Sequence, residues 1–137
     1  MGVILDSSMI IAAERKGRSV LQILEQVEAT WGETELGLSV VTIAELTHGA
    51  FRAPDEQRKQ RRLLFIDRLC NDIPIFPVTL EIARSVGRIE GEQASKGIVL
   101  AFEDLAIGVT ALYLDYFVAT LNLKDFQRIP GLTFVSL

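Results

Sequence analysis

The strongest constraint on this chain is an alternation of two patterns. Short apolar runs, Val3 to Asp6, "LGLSVV", "PIFPV", "FVAT" and "TFVSL", are separated by stretches whose apolar residues recur at helical spacing. Ser7 to Arg15 places Met9, Ile10 and Ala13 on one face, and Ser19 to Thr30 does the same with Val20, Ile23, Leu24 and Val27. Further helices are expected over Thr42 to Arg52, from Pro54 to about Asn71, over Thr79 to Lys96 and, after the apolar segment "IVLAF", from Glu103 to Asp115. A turn is expected around Asn122 to Pro130. The apolar runs lack a clean polar face, as strands do when both sides of their sheet are covered. The expected fold is therefore α/β, a mostly parallel central sheet flanked by helices. In such sheets ligands bind beyond the carboxyl ends of the strands.

The 137 residues fit one domain, 1–137, with no linker or internal repeat. With 49% hydrophobic residues, 23% charged and only 4 Pro, the chain has the composition of a packed globule rather than a disordered or low-complexity segment. A single cysteine, Cys70, excludes an internal disulfide and is expected to fill core. No secretory signal pattern opens the chain, and the long apolar stretch Leu105 to Leu123 is interrupted by Asp115 and Asn122, so it reads as core rather than a membrane span. A cytoplasmic protein with no membrane partner is expected. The net charge of -4 argues against broad adhesion to nucleic acid but leaves room for a local basic face. "RKQRRLLF" places Arg58, Lys59, Arg61 and Arg62 on one helix, either as phosphate contacts or as an ordinary solvated face.

Several carboxylates fall where the site should be. Asp6 ends the first strand, a position where it could also cap the following helix. Glu45 lies in "TIAEL", where Thr42-x-x-Glu45 matches a capping box. Asp104 sits at a helix start, which favours acidic residues in any case. Asn122 and Asp125 follow the fourth strand and have an ordinary role as turn formers. All of them nevertheless fall at a strand end or in the first turn of the next helix, which points to one acidic pocket. Converging carboxylates repel, and the usual remedy is a divalent cation with oxygen ligands, magnesium or manganese. His48 is the only histidine, so a two-histidine ribonuclease is impossible, and neither G-x-S-x-G nor a P-loop occurs. What remains is metal-assisted attack on a phosphodiester.

The ordered set "ILDSSMII", "LSVVTIAEL", "PIFPV", "GIVLAFEDLAIGVTAL" and "VATLNLKDFQRIPGL" resembles the PIN-domain ribonucleases, specifically the VapC-type toxins of bacterial toxin and antitoxin pairs. The resemblance spans nearly the whole chain. It implies that Asp6, Glu45 and Asp104 are the principal acidic ligands of Mg2+ or Mn2+, with Asn122 or Asp125 at a fourth position. It also implies an endoribonuclease acting on structured cellular RNA, silenced by a cognate VapB-type antitoxin, and a homodimer. The family usually has Thr and Asn after the first aspartate. Here Ser7 and Ser8 follow, so a hydroxyl is kept at the first position and a supporting amide is lost at the second.

Other α/β classes with acidic pockets fit less well. A receiver-like domain needs an adjacent acidic pair after the first strand, where Asp6 stands alone. A haloacid-dehalogenase-type phosphatase needs a second aspartate where Ser8 stands. A noncatalytic PIN-like module binding RNA or protein remains the principal alternative, because fold and activity are separable.

Overall fold

The computed structural model describes residues 1–136; Leu137, the last residue of the expected closing strand, lies outside them. The described chain runs β1 (Gly2–Leu5), α1 (Ser7–Arg15), α2 (Val20–Trp31), β2 (Glu35–Ser39), α3 (Val40–Phe51), α4 (Glu56–Asp72), β3 (Ile75–Phe76), α5 (Leu80–Ala94), α6 (Phe102–Leu114), β4 (Phe117–Ala119), α7 (Leu123–Phe126) and β5 (Phe134–Val135). All pairings are parallel, in the order β3-β2-β1-β4-β5. The chain therefore winds outward from β1 through β2 to β3, then returns to the opposite side of β1 with β4. The crevice between β1 and β4 is the point where winding direction reverses, and open α/β sheets bind ligands at such a point.

Side chains of the central strand alternate between two cores. Val3 and Leu5 pack with Ile10, Ile23, Leu46 and Leu69 from α1 to α4, whereas Ile4 packs with Ile82, Ile107 and Phe126 from α5 to α7. Helix α6 is buried on every side from Leu105 to Ala111, as expected of a helix that is apolar all round. Gly108 makes this possible against the return loop: a Cβ there would stand 2.7 Å from the Ile129 side chain. The stretch 105–119 is thus largely buried helix and strand, with 121–123 exposed after it, and among the described residues no helix is long and apolar enough to cross a membrane.

Several sequence expectations need correction. "LGLSVV" is strand only to Ser39, because Ser39 accepts from the Val41 N–H and starts α3 two residues before the expected Thr42. Thr42 is therefore buried inside the helix with no hydrogen-bond partner for its hydroxyl, and the capping box with Glu45 does not form. The turn after β4 holds the short helix α7, anchored by wholly buried Phe126. Cys70 is exposed on α4 instead of filling core, since the buried face of that helix is carried by Ile66 and Leu69.

Candidate active site

The first strand delivers its carboxylate into the crevice. Asp6 follows Leu5 directly, and its N–H donates to the Ala119 carbonyl at 3.0 Å, extending the β1–β4 ladder by one bond. It stands at the N-cap of α1 but makes no side-chain cap bond, so capping does not account for it. The carboxylate is instead held by hydroxyls, although it is only 2% exposed. Oδ2 accepts from Ser8 Oγ at 2.7 Å and from Thr120 Oγ1 at 2.8 Å. Each hydroxyl is in turn fixed by a backbone amide of the loop after β4. Leu121 N–H donates to Ser8 Oγ at 3.1 Å, and Asn122 N–H donates to Thr120 Oγ1 at 2.8 Å. Ser8 thus supplies by its hydroxyl the support expected to be lost with the amide.

Ser7 links the first carboxylate to the second. Its Oγ lies 3.1 Å from Glu45 Oε2 and 3.4 Å from Asp6 Oδ1. One proton serves one of these oxygens, and the shorter contact is to Glu45, which leaves Asp6 Oδ1 as the freer oxygen. Glu45 projects from the second turn of α3, and its carboxyl is raised above its ordinary pKa, first by burial and further by Asp6 and Glu103, against the Ser7 hydrogen bond. Asp104, in the first turn of α6, is raised further, from 3.8 to about 6. Burial is the main cause, followed by Asp125, then Asp6, Glu45 and Glu103. Four carboxylates, those of Asp125, Asp6, Glu45 and Glu103, therefore lie close enough to Asp104 to raise it.

Asn122 enters mainly through its backbone; its side chain makes no cap bond to α7. Sequence reasoning missed Thr120 and Glu103. Thr120 carried a usable signal, standing one residue past β4 where Asp6 stands one past β1. Glu103 was visible only as a helix-start acid. His48 is exposed on α3.

Among the described residues no lysine or arginine forms an ion pair with Asp6, Glu45, Asp104 or Asp125. The donor set is hard oxygen with uncompensated negative charge, which fits Mg2+ or Mn2+. It is not a ready-made cage, for among the described residues no three His, Cys, Asp or Glu side chains are grouped to hold an ion. Magnesium keeps several waters in its shell and shares it with substrate phosphate, so carboxylates that line a site without closing around it fit that ion.

The PIN domain family matches residues 3–132. The chain is 33% identical over 132 residues to ribonuclease VapC1 of Rickettsia felis, covering 96% of this chain and 93% of the relative. The chain belongs to the VapC family of PIN domains. A further VapC, named a tRNA(fMet)-specific endonuclease, from Salmonella typhimurium, is 28% identical over 95 residues, 69% of this chain and 70% of the relative. Among solved structures, VapBC-1 from nontypeable Haemophilus influenzae superposes with a TM-score of 0.80 at 27% identity, covering 99% of this chain and 98% of that one. In this VapC-family chain Asp6 lies where the winding of the sheet reverses, one residue past β1 and bonded to the end of β4.

Proposed function

We propose that this chain is a divalent-metal-dependent endoribonuclease toxin, with Asp6, Glu45 and Asp104 as the metal ligands and Mg2+ or Mn2+ as the ion. The carrying observation is the mutual charging of the pocket: Asp104 is driven to about 6 by burial and by four neighbouring carboxylates with no cation of the chain beside it. The relatives named ribonuclease VapC support the reaction class. A bound divalent ion supplies a polarised phosphate and a water acidified toward neutrality. Asp6 Oδ1, Glu45 and Asp104 would hold that ion. Ser8 and Thr120 keep Asp6 oriented through Oδ2, and Ser7 aligns Glu45. Asp125 supplies charge at the fourth position, while Asn122 fixes the loop that carries it.

Structured RNA is the substrate class, in keeping with the transfer-RNA endonuclease named among the relatives. A VapB-type antitoxin, whose C-terminal segment lays an apolar helix over the groove and points a basic residue at the acidic pocket, is the proposed silencing partner. The likeness to VapBC-1 supports that pairing. A homodimer is the proposed assembly.

Asp6→Asn, Glu45→Gln and Asp104→Asn should each abolish Mg2+- or Mn2+-dependent RNA cleavage and toxicity while the protein stays folded. Cleavage at the wild-type rate by any of the three removes that residue from the ligand set. Metal titration of the unaltered chain separates the alternative, a noncatalytic RNA- or protein-binding module, which would show no divalent-dependent signal. Copurification with the neighbouring antitoxin should give a complex with little ribonuclease activity, and a freely active toxin in its presence would overturn the pairing.

A further inference from the structure

The arginines that the acidic chemistry does not use gather in one depression. Between α4 and the end of α1 lies a cavity of about 360 Å3 lined by Arg15 and Arg18 on one side and Arg58, Arg61 and Arg62 on the other, with Glu14 the one carboxylate among its lining residues. Little of this charge is cancelled. Arg62 lies 3.9 Å from Glu14, a loose pair, and Arg58 lies 3.4 Å from Asp55 with both side chains more than half exposed. Arg18 donates to the Gln26 side chain at 2.5 Å, which fixes its guanidinium without neutralising it. Among the described residues, Arg15 and Arg61 have no ion-pair partner. In a chain of net charge -4, five guanidiniums in one hollow are a local reversal of sign.

This hollow has a neighbour that reaches Glu45. A smaller cavity of about 140 Å3 shares Glu14, Arg15 and Arg62 with it and is lined on its other side by Glu45 and Leu46. The two cavities are thus neighbours, with Glu14, Arg15 and Arg62 between the arginines and Glu45.

We propose that the arginine cavity is a subsite for the RNA backbone, gripping phosphates beside the one positioned for cutting. The proposal rests on the ribonuclease reading above. A pocket of carboxylates repels a polyanion everywhere except at its ion, so a long substrate needs a separate cationic anchor. Arginine suits this role, because its planar fork binds phosphate oxygens in pairs and stays charged at any relevant pH. Contacts of this kind set affinity and register, leaving sequence choice to other residues.

The test is RNA binding by the purified full chain, measured by fluorescence anisotropy on a structured RNA across a salt series, in an Asp104→Asn background that keeps the RNA whole. Arg58→Gln with Arg61→Gln should weaken binding to all RNA sequences alike and make the dependence of log affinity on log salt shallower by about 1 for each arginine removed. Arg58→Lys with Arg61→Lys should keep most of that slope, showing that the loss is of charge rather than of fold. An unchanged affinity and slope in the Gln pair would overturn the subsite. So would an equal loss in the Lys pair, or unchanged RNA affinity with weakened binding of the antitoxin, which would make the cavity a protein-docking site. RNA cleavage by the unaltered chain is scored separately, so a failed ribonuclease reading and a failed subsite give different results.

Discussion

Asp6 is held by one oxygen and offered by the other. Ser8 and Thr120 both donate to Oδ2, and both hydroxyls are themselves aimed by the amides of Leu121 and Asn122. Ser8→Ala should therefore lower Mn2+ affinity about tenfold or more, whereas Ser8→Asn, which restores the amide common in the family, should bind near the wild-type level; calorimetric titration would show it. Equal affinity in the wild type and the alanine variant would mean that Thr120 alone suffices. Asp125 tests the pocket from its other side. It is the largest charged contributor to the raised Asp104, so Asp125→Asn lets Asp104 ionise at lower pH. The acid limb of the cleavage profile should shift downward while the maximal rate falls. A limb that stays in place with full activity and unchanged metal affinity would leave a triad of Asp6, Glu45 and Asp104.

At the scale of elements, the site depends on where two helices begin and on how a third is pinned. Helix α3 starts at Val40 because the strand gives way at Ser39, and that early start places Thr42 in the interior, its hydroxyl unpartnered, and Glu45 in the second turn beside Ser7. Thr42→Val keeps the shape and removes the stranded hydroxyl, so it should stabilise the protein by about 1 kcal/mol, read as a higher denaturant midpoint at constant slope. A capping threonine would have shown a loss instead. Helix α7 has only four residues and cannot stand by local hydrogen bonds alone. Its anchor is Phe126, wholly buried against the α5 and α6 side of the sheet. Phe126→Ala should cost about 3–5 kcal/mol and release Asp125 from the pocket, so activity should fall at temperatures where the variant is still folded.

For the whole molecule, the acidic pocket opposes folding until something neutralises it. Asp104 holds its proton to about 6 in the fold against 3.8 when free, so between those values the folded state binds more protons than the unfolded. Stability from this group therefore falls as pH rises from about 4 to about 6, and the penalty is complete above that range. Without divalent cation, Asp104→Asn should melt higher than the wild type at pH 7, and the difference should vanish near pH 4. Added Mn2+ should reverse the order at pH 7 by stabilising the wild type more. A wild type that melts higher without metal at pH 7 would contradict the charge coupling.

The alternation of apolar strands and amphipathic helices was enough to determine a helix-covered parallel sheet, because burial on both faces leaves no polar period in the strands and short βα connections leave few topologies. The same positional logic singled out Asp6, Asp104 and Asp125 as candidates, since a strand's end and a helix's first turn are local features, whereas Glu45, expected in a first turn, stands in the second turn of α3. Three things were decided only by tertiary structure. The boundary at Ser39 was hidden because Val40 and Val41 suit strand and helix alike, and only packing chose between them. The hydroxyl support of Asp6 joins residues 114 apart, Asp6 and Thr120, and exists because β4 returns to pair with β1. The pooling of charge, acids around Asp104 and arginines in the hollow between α1 and α4, depends on distances through space, and a chain read along its length carries the charges but not those distances.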